Sequence, residues 1–321
     1  MSEGPAVAGG GSGPSKGTRF GFAALAVLTL FVAVWMAREA RLQQSSQSAA
    51  VVESPAPVSL PGFRADLMQL PDDELLGFVE IPAGDFLMGS NPAYDRFAFE
   101  NERWSLSERQ GTVTLSNYYI GRFEVTVAQY QVFLQDSARP ADERIAGLQP
   151  DHPVAFVTWT DALAYSRWLE RKLRESNGLP APLRALLDAG WHVVLPNEAE
   201  WEKAARGVNG EIYPWGNRPR RDLANFGSAG TVPVGSIRCD ECRYGLSDMS
   251  GNVWELTRSP YQNYPYDPYD DHLDLEADAL WVMRGGSFLD GEGNVRGAIR
   301  GGVDPGVRNA TIGFRLALSR I

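Results

Sequence analysis

The sequence predicts an α+β domain, and three observations predict it. Only three segments combine helix-start chemistry with an apolar face. The other apolar runs are short and alternating, as half-buried strands are. Beyond Gly207 turn residues recur too closely for a regular βαβ succession. The expected architecture is short strands, about three helices and many irregular loops that carry the function.

In chain order, residues 1–19 form a polar, glycine-rich, disordered head. Residues 20–37 (FGFAALAVLTLFVAVWMA) are 18 residues without a charge. At roughly 1.5 Å per residue they span about 27 Å, longer than the core of about 7 to 15 residues in a cleaved signal, so a single transmembrane anchor is expected. Lys16 and Arg19 precede the run and Arg38 and Arg41 follow it, so flanking charge does not set the orientation. The short head and a cysteine pair suited to an oxidising compartment favour a C-terminal domain on the exported side, periplasmic or extracellular. Residues 38–71, with QQSSQS and PAPV, are expected to be a flexible linker, and residues 72–321 the folded domain.

Within the domain, Phe78 to Ser90 alternates around Pro82-Ala83-Gly84 as a hairpin would, and Thr112 to Phe123 is expected to be another strand. Thr126 can cap a helix bearing Val127, Tyr130, Phe133 and Leu134 on one face. Thr160 signals a second, with Ala162, Tyr165, Trp168 and Leu169. Asn197 and Glu200 make a capping-box pattern for a third, with Trp201, Ala204 and Ala205 on one face and Gly207 at its end. Short strands are expected at Val253 to Thr257, Trp281 to Phe288, Val295 to Ile299 and Ile312 to Leu318.

Composition removes several function classes. The chain of 321 residues has 30 Lys and Arg against 40 Asp and Glu, net −10. The first 41 residues hold four bases and two acids, so the remainder carries −12, which argues against nucleic-acid partners. Histidine occurs only at 152, 192 and 272 and cysteine only at 239 and 242, so neither three imidazoles in a tight motif nor a four-thiolate zinc site can be built. No Walker loop, GxSxG elbow or HExxH helix is present.

Six segments in order are distinctive: FVEIPAGDFLMGS at 78, LPNEAEWEKAARG at 195, YPWGN at 213, GLSDMSGNVWE at 245, MRGGSF at 283 and IGFRLAL at 312. Together they resemble the formylglycine-generating enzyme, or sulfatase-modifying factor, family. The resemblance implies a C-type-lectin-like fold, bound calcium and a surface groove for an extended polypeptide. In the oxidase members two cysteines hold copper(I) and oxidise a substrate cysteine to formylglycine, a task for soft sulfur ligands.

Counted from Ser287, the two oxidase positions fall on Asp290 and Val295. Valine cannot ligate a metal and a lone carboxylate is a hard ligand, so copper is not expected. Ser287 and Trp254 match pocket residues of the family. Asp290 reads either as a solvated acid in a glycine-rich turn or as a polar contact in a repurposed groove. The resemblance puts calcium ligands on Asp248, the Gly251 and Val253 carbonyls, and Glu255, hard oxygens of the kind Ca²⁺ takes. A second site would use Asn225 and the Phe226 carbonyl, beside a loop shortened here to GSAG at 227–230.

Cys239 and Cys242, in IRCDECRYG, lie far from the oxidase segment, and Arg243 stands where a haem-attachment motif needs histidine. They suit a structural disulfide, or a reactive dithiol with Arg238 and Arg243 set against Asp240 and Glu241. Two functions are carried forward. One is a membrane-anchored, calcium-binding, non-catalytic pseudoenzyme that binds a polypeptide partner as a scaffold or accessory factor. The other is a divergent protein-modifying oxidoreductase. Glycan binding rests on the lectin-like fold alone.

Overall fold

The computed structural model describes residues 60–269, 275 and 279–320. The expected head, anchor and most of the linker lie outside these residues. Among the described residues no helix is long and apolar enough to cross a membrane.

The linker expected up to residue 71 extends too far. β1 (Phe63–Arg64) pairs with β2 (Leu70–Pro71), and Leu67 and Leu70 are buried in the main core. Two leucines three residues apart in a polar stretch left no periodicity to read, yet each removes apolar area from water.

β3 (Phe78–Ile81) and β4 (Gly84–Met88) do not form a hairpin. They run on, and pair antiparallel with β6 (Tyr118–Gly121) and β5 (Gly111–Leu115) respectively. The run expected as one strand at Thr112 to Phe123 is therefore two. Phe78 and Ile81 join the main core, whereas Phe86 and Met88 pack with Val113 and Ala199 in a separate cluster. The break between β3 and β4 is held by Lys203, whose ammonium donates to the Pro82 and Gly84 carbonyls at 2.7 and 2.9 Å.

The described helices number four. α1 (Val127–Ser137) is capped by Thr126 and α2 (Trp159–Glu175) by Thr158, each with a reciprocal capping box. The α2 cap is two residues earlier than Thr160, because Asp161 and not a later residue returns the hydrogen bond, at 3.1 Å to Thr158 N–H. α3 (Ala181–Asp188), which sequence reasoning did not find, follows Pro180 and carries a proline in its first turn, where the missing N–H costs nothing. Leu183 and Leu187 bury its inner face. β7 (His192–Val194) leads to α4 (Glu198–Arg206), capped by Asn197 and Glu200 as expected.

β8 (Trp254–Pro260), β9 (Trp281–Arg284), β10 (Arg300–Val303) and β11 (Ile312–Gly313) make one four-stranded sheet in the order β10-β9-β8-β11. β12 (Ala317–Ser319) completes the other, β3-β6-β12-β7. Val295 to Ile299 is not a strand. A 3-10 turn at Glu292–Asn294 precedes it, and pairing begins only at Arg300. β9 ends early because Gly285 and Gly286 take φ of +92° and +72° and turn the chain away. The main core lies among the four described helices and the two four-stranded sheets, with Trp159 stacked on Trp281 at 3.7 Å.

Candidate functional site

Five of the six distinctive segments are tied to one another by buried polar contacts. Gly89 N–H donates to Glu202 at 2.8 Å, and Glu202 pairs with Arg206 and Arg284, both at 2.5 Å. Gly251 N–H reaches the Gly285 carbonyl at 2.9 Å, and Glu255 pairs with Arg315. The sixth segment reaches the site through Tyr213, which stacks on Trp215 and donates its hydroxyl to the Glu292 carbonyl at 3.0 Å. The double-glycine bend after β9 thus delivers Ser287 to Val295 onto a rigid base.

Asp290 is not a solvated loop acid. Its Oδ2 accepts from Trp254 Nε1 at 3.0 Å, Ser287 N–H at 2.9 Å and Ser287 Oγ at 2.7 Å, and its Oδ1 from Asn294 Nδ2 at 3.2 Å. The structure so brings Ser287, Trp254 and Asp290 together. A carboxylate holding four donors is satisfied by its own chain and has little left for a metal. Val295 is fully buried with Ile212, Tyr213, Ala224 and Phe226. The two positions counted from Ser287 therefore hold a saturated carboxylate and a core side chain. In the same segment Leu289 is 64% exposed, and Glu292 forms an exposed pair with Arg96 at 2.7 Å.

The expected calcium ligands are placed unevenly. Both Glu255 oxygens face Arg315, Nε to Oε2 at 2.5 Å and Nη2 to Oε1 at 2.6 Å, and Oε2 also accepts from Trp201 Nε1 at 2.7 Å. Asn225 Oδ1 accepts from Ser228 Oγ at 2.6 Å and the Phe226 carbonyl from Arg221 at 3.1 Å, so both oxygens of the second site are engaged. Among the described residues no group of three or more His, Cys, Asp or Glu side chains converges on a metal position. Glu255, Asn225 and Phe226 thus each already have a partner within the protein.

Asp248 fits better. It is buried, accepts from Gly235 N–H at 3.0 Å, and burial pushes its carboxyl up to about 6. Glu124, which sequence reasoning missed, is buried with Oε1 unpartnered while Oε2 accepts from Asn252 Nδ2 at 3.0 Å. Burial first, then the charges of Asp248 and Glu255, raise the Glu124 carboxyl well above its usual range. Three buried carboxylates face one guanidinium, so a proton or a cation offsets the excess. Nothing in the run Phe123-Glu124-Val125 marks the acid as buried. Arg315, inside the IGFRLAL segment, could have been singled out as a lone charge between apolar residues.

Gly251 and Asn252 both take left-handed conformations, and a Cβ on Gly251 would lie 2.2 Å from the Asn225 carbonyl oxygen. Val253 is buried. Cys239 and Cys242 form a disulfide with Cα atoms 5.3 Å apart.

The family model described as sulfatase-modifying factor enzyme 1-like domain matches residues 64–320. The chain belongs to the sulfatase-modifying factor family. Among relatives of this family, inactive C-alpha-formylglycine-generating enzyme 2 of Mus musculus is 34% identical over 186 residues, 52% of this chain and 49% of that one. The chain thus spans about half the length of that relative. Formylglycine-generating enzyme of Thermomonospora curvata is 27% identical over 335 residues, covering 80% of this chain and 99% of the enzyme. Among solved structures, PvdO from Pseudomonas aeruginosa superposes with a TM-score of 0.59 at 25% identity, covering 75% of this chain and 94% of PvdO. The sulfatase-modifying factor fold here is α+β with four described helices and several small sheets.

Proposed function

We propose that this is a non-catalytic member of the sulfatase-modifying factor family, a membrane-anchored and exported domain that binds a polypeptide partner as a scaffold or accessory factor. One observation carries the reading. The positions expected to hold the copper thiolates are Asp290, saturated by Ser287, Trp254 and Asn294, and Val295, sealed in an apolar cluster. The chain's two cysteines are joined to each other elsewhere. The similarity to a relative named inactive supports the same reading.

The surface beside Asp290, with Leu289 exposed and Arg96 paired to Glu292, offers an apolar anchor with a charged rim for a peptide backbone. Calcium belongs to the proposal through Asp248, which with the Gly251 and Val253 carbonyls and Glu124 supplies hard oxygen and negative charge. The anchor proposal rests on the uncharged run at 20–37.

The test is copper(I) titration of the purified protein with a cysteine-peptide oxidation assay, alongside a photo-crosslinker at Leu289. No stoichiometric copper, no aldehyde, and one discrete crosslinked polypeptide are expected. Bound copper or peptide conversion would sink the reading in favour of a divergent protein-modifying oxidoreductase. That second reading draws on the match to nearly the whole length of the Thermomonospora curvata enzyme.

A further inference from the structure

A second feature stands apart from the Asp290 surface. Cys239 and Cys242, both half-buried, line an open cavity of about 490 Å³ whose wall also includes Arg122, Phe123, Arg238, Asp240 and Ser247. We infer that the Cys239–Cys242 disulfide is a thiol–disulfide exchange site, which accepts two electrons from a dithiol that enters this cavity.

A purely structural role explains the pair poorly. The bond closes a ring only three residues apart in sequence, and so short a loop removes little entropy from the unfolded chain. The segment is also held without it. Glu241 pairs with Arg220 at 2.6 Å, Gly245 N–H donates to the Cys242 carbonyl at 3.1 Å, Leu246 is buried, and the Ser247 carbonyl accepts from Arg315 at 3.0 Å. Breaking the sulfur bond leaves these contacts in place.

The surroundings suit exchange. Exchange needs access to a sulfur and a leaving thiolate that is stabilised. The cavity supplies access. Arg238 and Arg243 flank the pair and have no carboxylate partner among the described residues, while of the two intervening acids only Asp240 is unpaired. The local surplus of positive charge favours the thiolate.

In the reaction a partner thiolate attacks one cysteine sulfur, the S–S bond breaks, and the other cysteine leaves as a thiolate. The partner's second thiol then attacks the mixed disulfide and releases the first cysteine. Two protons pass from the partner to the cysteine pair, the partner dithiol is oxidised to its disulfide, and Cys239–Cys242 is reduced. The chain carries the electrons onward when a second disulfide reverses the steps.

The test uses the full 321-residue chain. The folded protein is exposed in parallel to dithiothreitol, reduced glutathione and a reduced thioredoxin, quenched with a maleimide, and weighed by mass spectrometry while circular dichroism monitors folding. Two maleimides added with an unchanged spectrum are expected, and the arm that reacts fastest distinguishes a small thiol from a protein dithiol. C239S and C242S should each trap a mixed disulfide with glutathione disulfide through the remaining cysteine. Arg238→Ala with Arg243→Ala should slow exchange about threefold for each unit by which the leaving thiol's pKa rises. A bond that stays oxidised in all three arms until the protein is denatured would overturn the assignment, as would failure of both serine variants to form mixed disulfides. Neither result depends on whether copper or a polypeptide binds beside Asp290.

Discussion

Arg315→Met is the perturbation that most directly tests how the site is held together. The Arg315 guanidinium makes two bonds to Glu255, at 2.5 and 2.6 Å, and donates to the Gly121, Ser247 and Arg122 carbonyls at 2.9, 3.0 and 3.3 Å. Methionine keeps much of the stem and removes every donor. Glu255 is then a buried carboxylate with Trp201 Nε1 as its described donor, in the field of Glu124 and Asp248. Removing one partner of a buried pair costs about 3–5 kcal/mol, and unsatisfied carbonyls add about 1 kcal/mol each where water cannot reach them. The expected loss is about 4–6 kcal/mol, a large part of the 5–15 kcal/mol or so of a typical domain. Urea unfolding followed by tryptophan fluorescence measures it. Arg315→Met with Glu255→Gln removes the orphaned charge and should recover at least about 2 kcal/mol of the loss. A single variant within about 1.5 kcal/mol of the parent, or a double variant no more stable than the single, would show that Arg315 does not neutralise this cluster.

Three other perturbations follow from the same geometry. Asp248 titrates near 6 when folded against 3.8 as its ordinary value, so between these the folded state binds more protons. Stability of the metal-free protein should therefore fall as pH rises through that window, by about 3 kcal/mol from this group. Asp248→Asn should flatten the dependence, and calcium at pH 7 should raise the melting temperature of the parent but not of the variant. Asp290→Ala strands Trp254 Nε1 and both Ser287 donors and should cost about 1–2 kcal/mol by thermal melting. Retained stability would mean water replaces the carboxylate. Gly286→Ala puts a Cβ 2.1 Å from the Asn294 carbonyl oxygen at a φ of +72°, and should cost at least about 2 kcal/mol and reduce crosslinking from Leu289. A full-strength crosslink in a stable variant would disconnect this bend from the proposed surface.

Local chemistry was legible where a few neighbouring residues settle it. The caps of α1 and α4 were readable because Thr126 with Gln129, and Asn197 with Glu200, satisfy each other three residues apart. α3 was not, because Pro180 and Pro182 look like breakers until one sees that a helix tolerates proline in its first turn. Strand pairing was also hidden. The run from Phe78 to Met88 alternates throughout, but only its distant partner at 111–121 shows that it is one long arm and not a hairpin.

The site divides the same way. The order of six short segments was enough to point to the family, and a count from Ser287 singled out Asp290 and Val295. Residue type alone shows that valine cannot hold a metal. What Asp290 does instead required the fold, since its donors come from Ser287 and Asn294 close by and from Trp254 on β8, thirty-six residues away. Glu124 and Arg315 became part of the site only through burial, because a charge acquires its meaning from the dielectric and partners that surround it. Backbone hydrogen bonding and capping act over three or four residues and can be read from sequence, whereas desolvation and ion pairing depend on distance in space. The tertiary structure alone decides which charges those are.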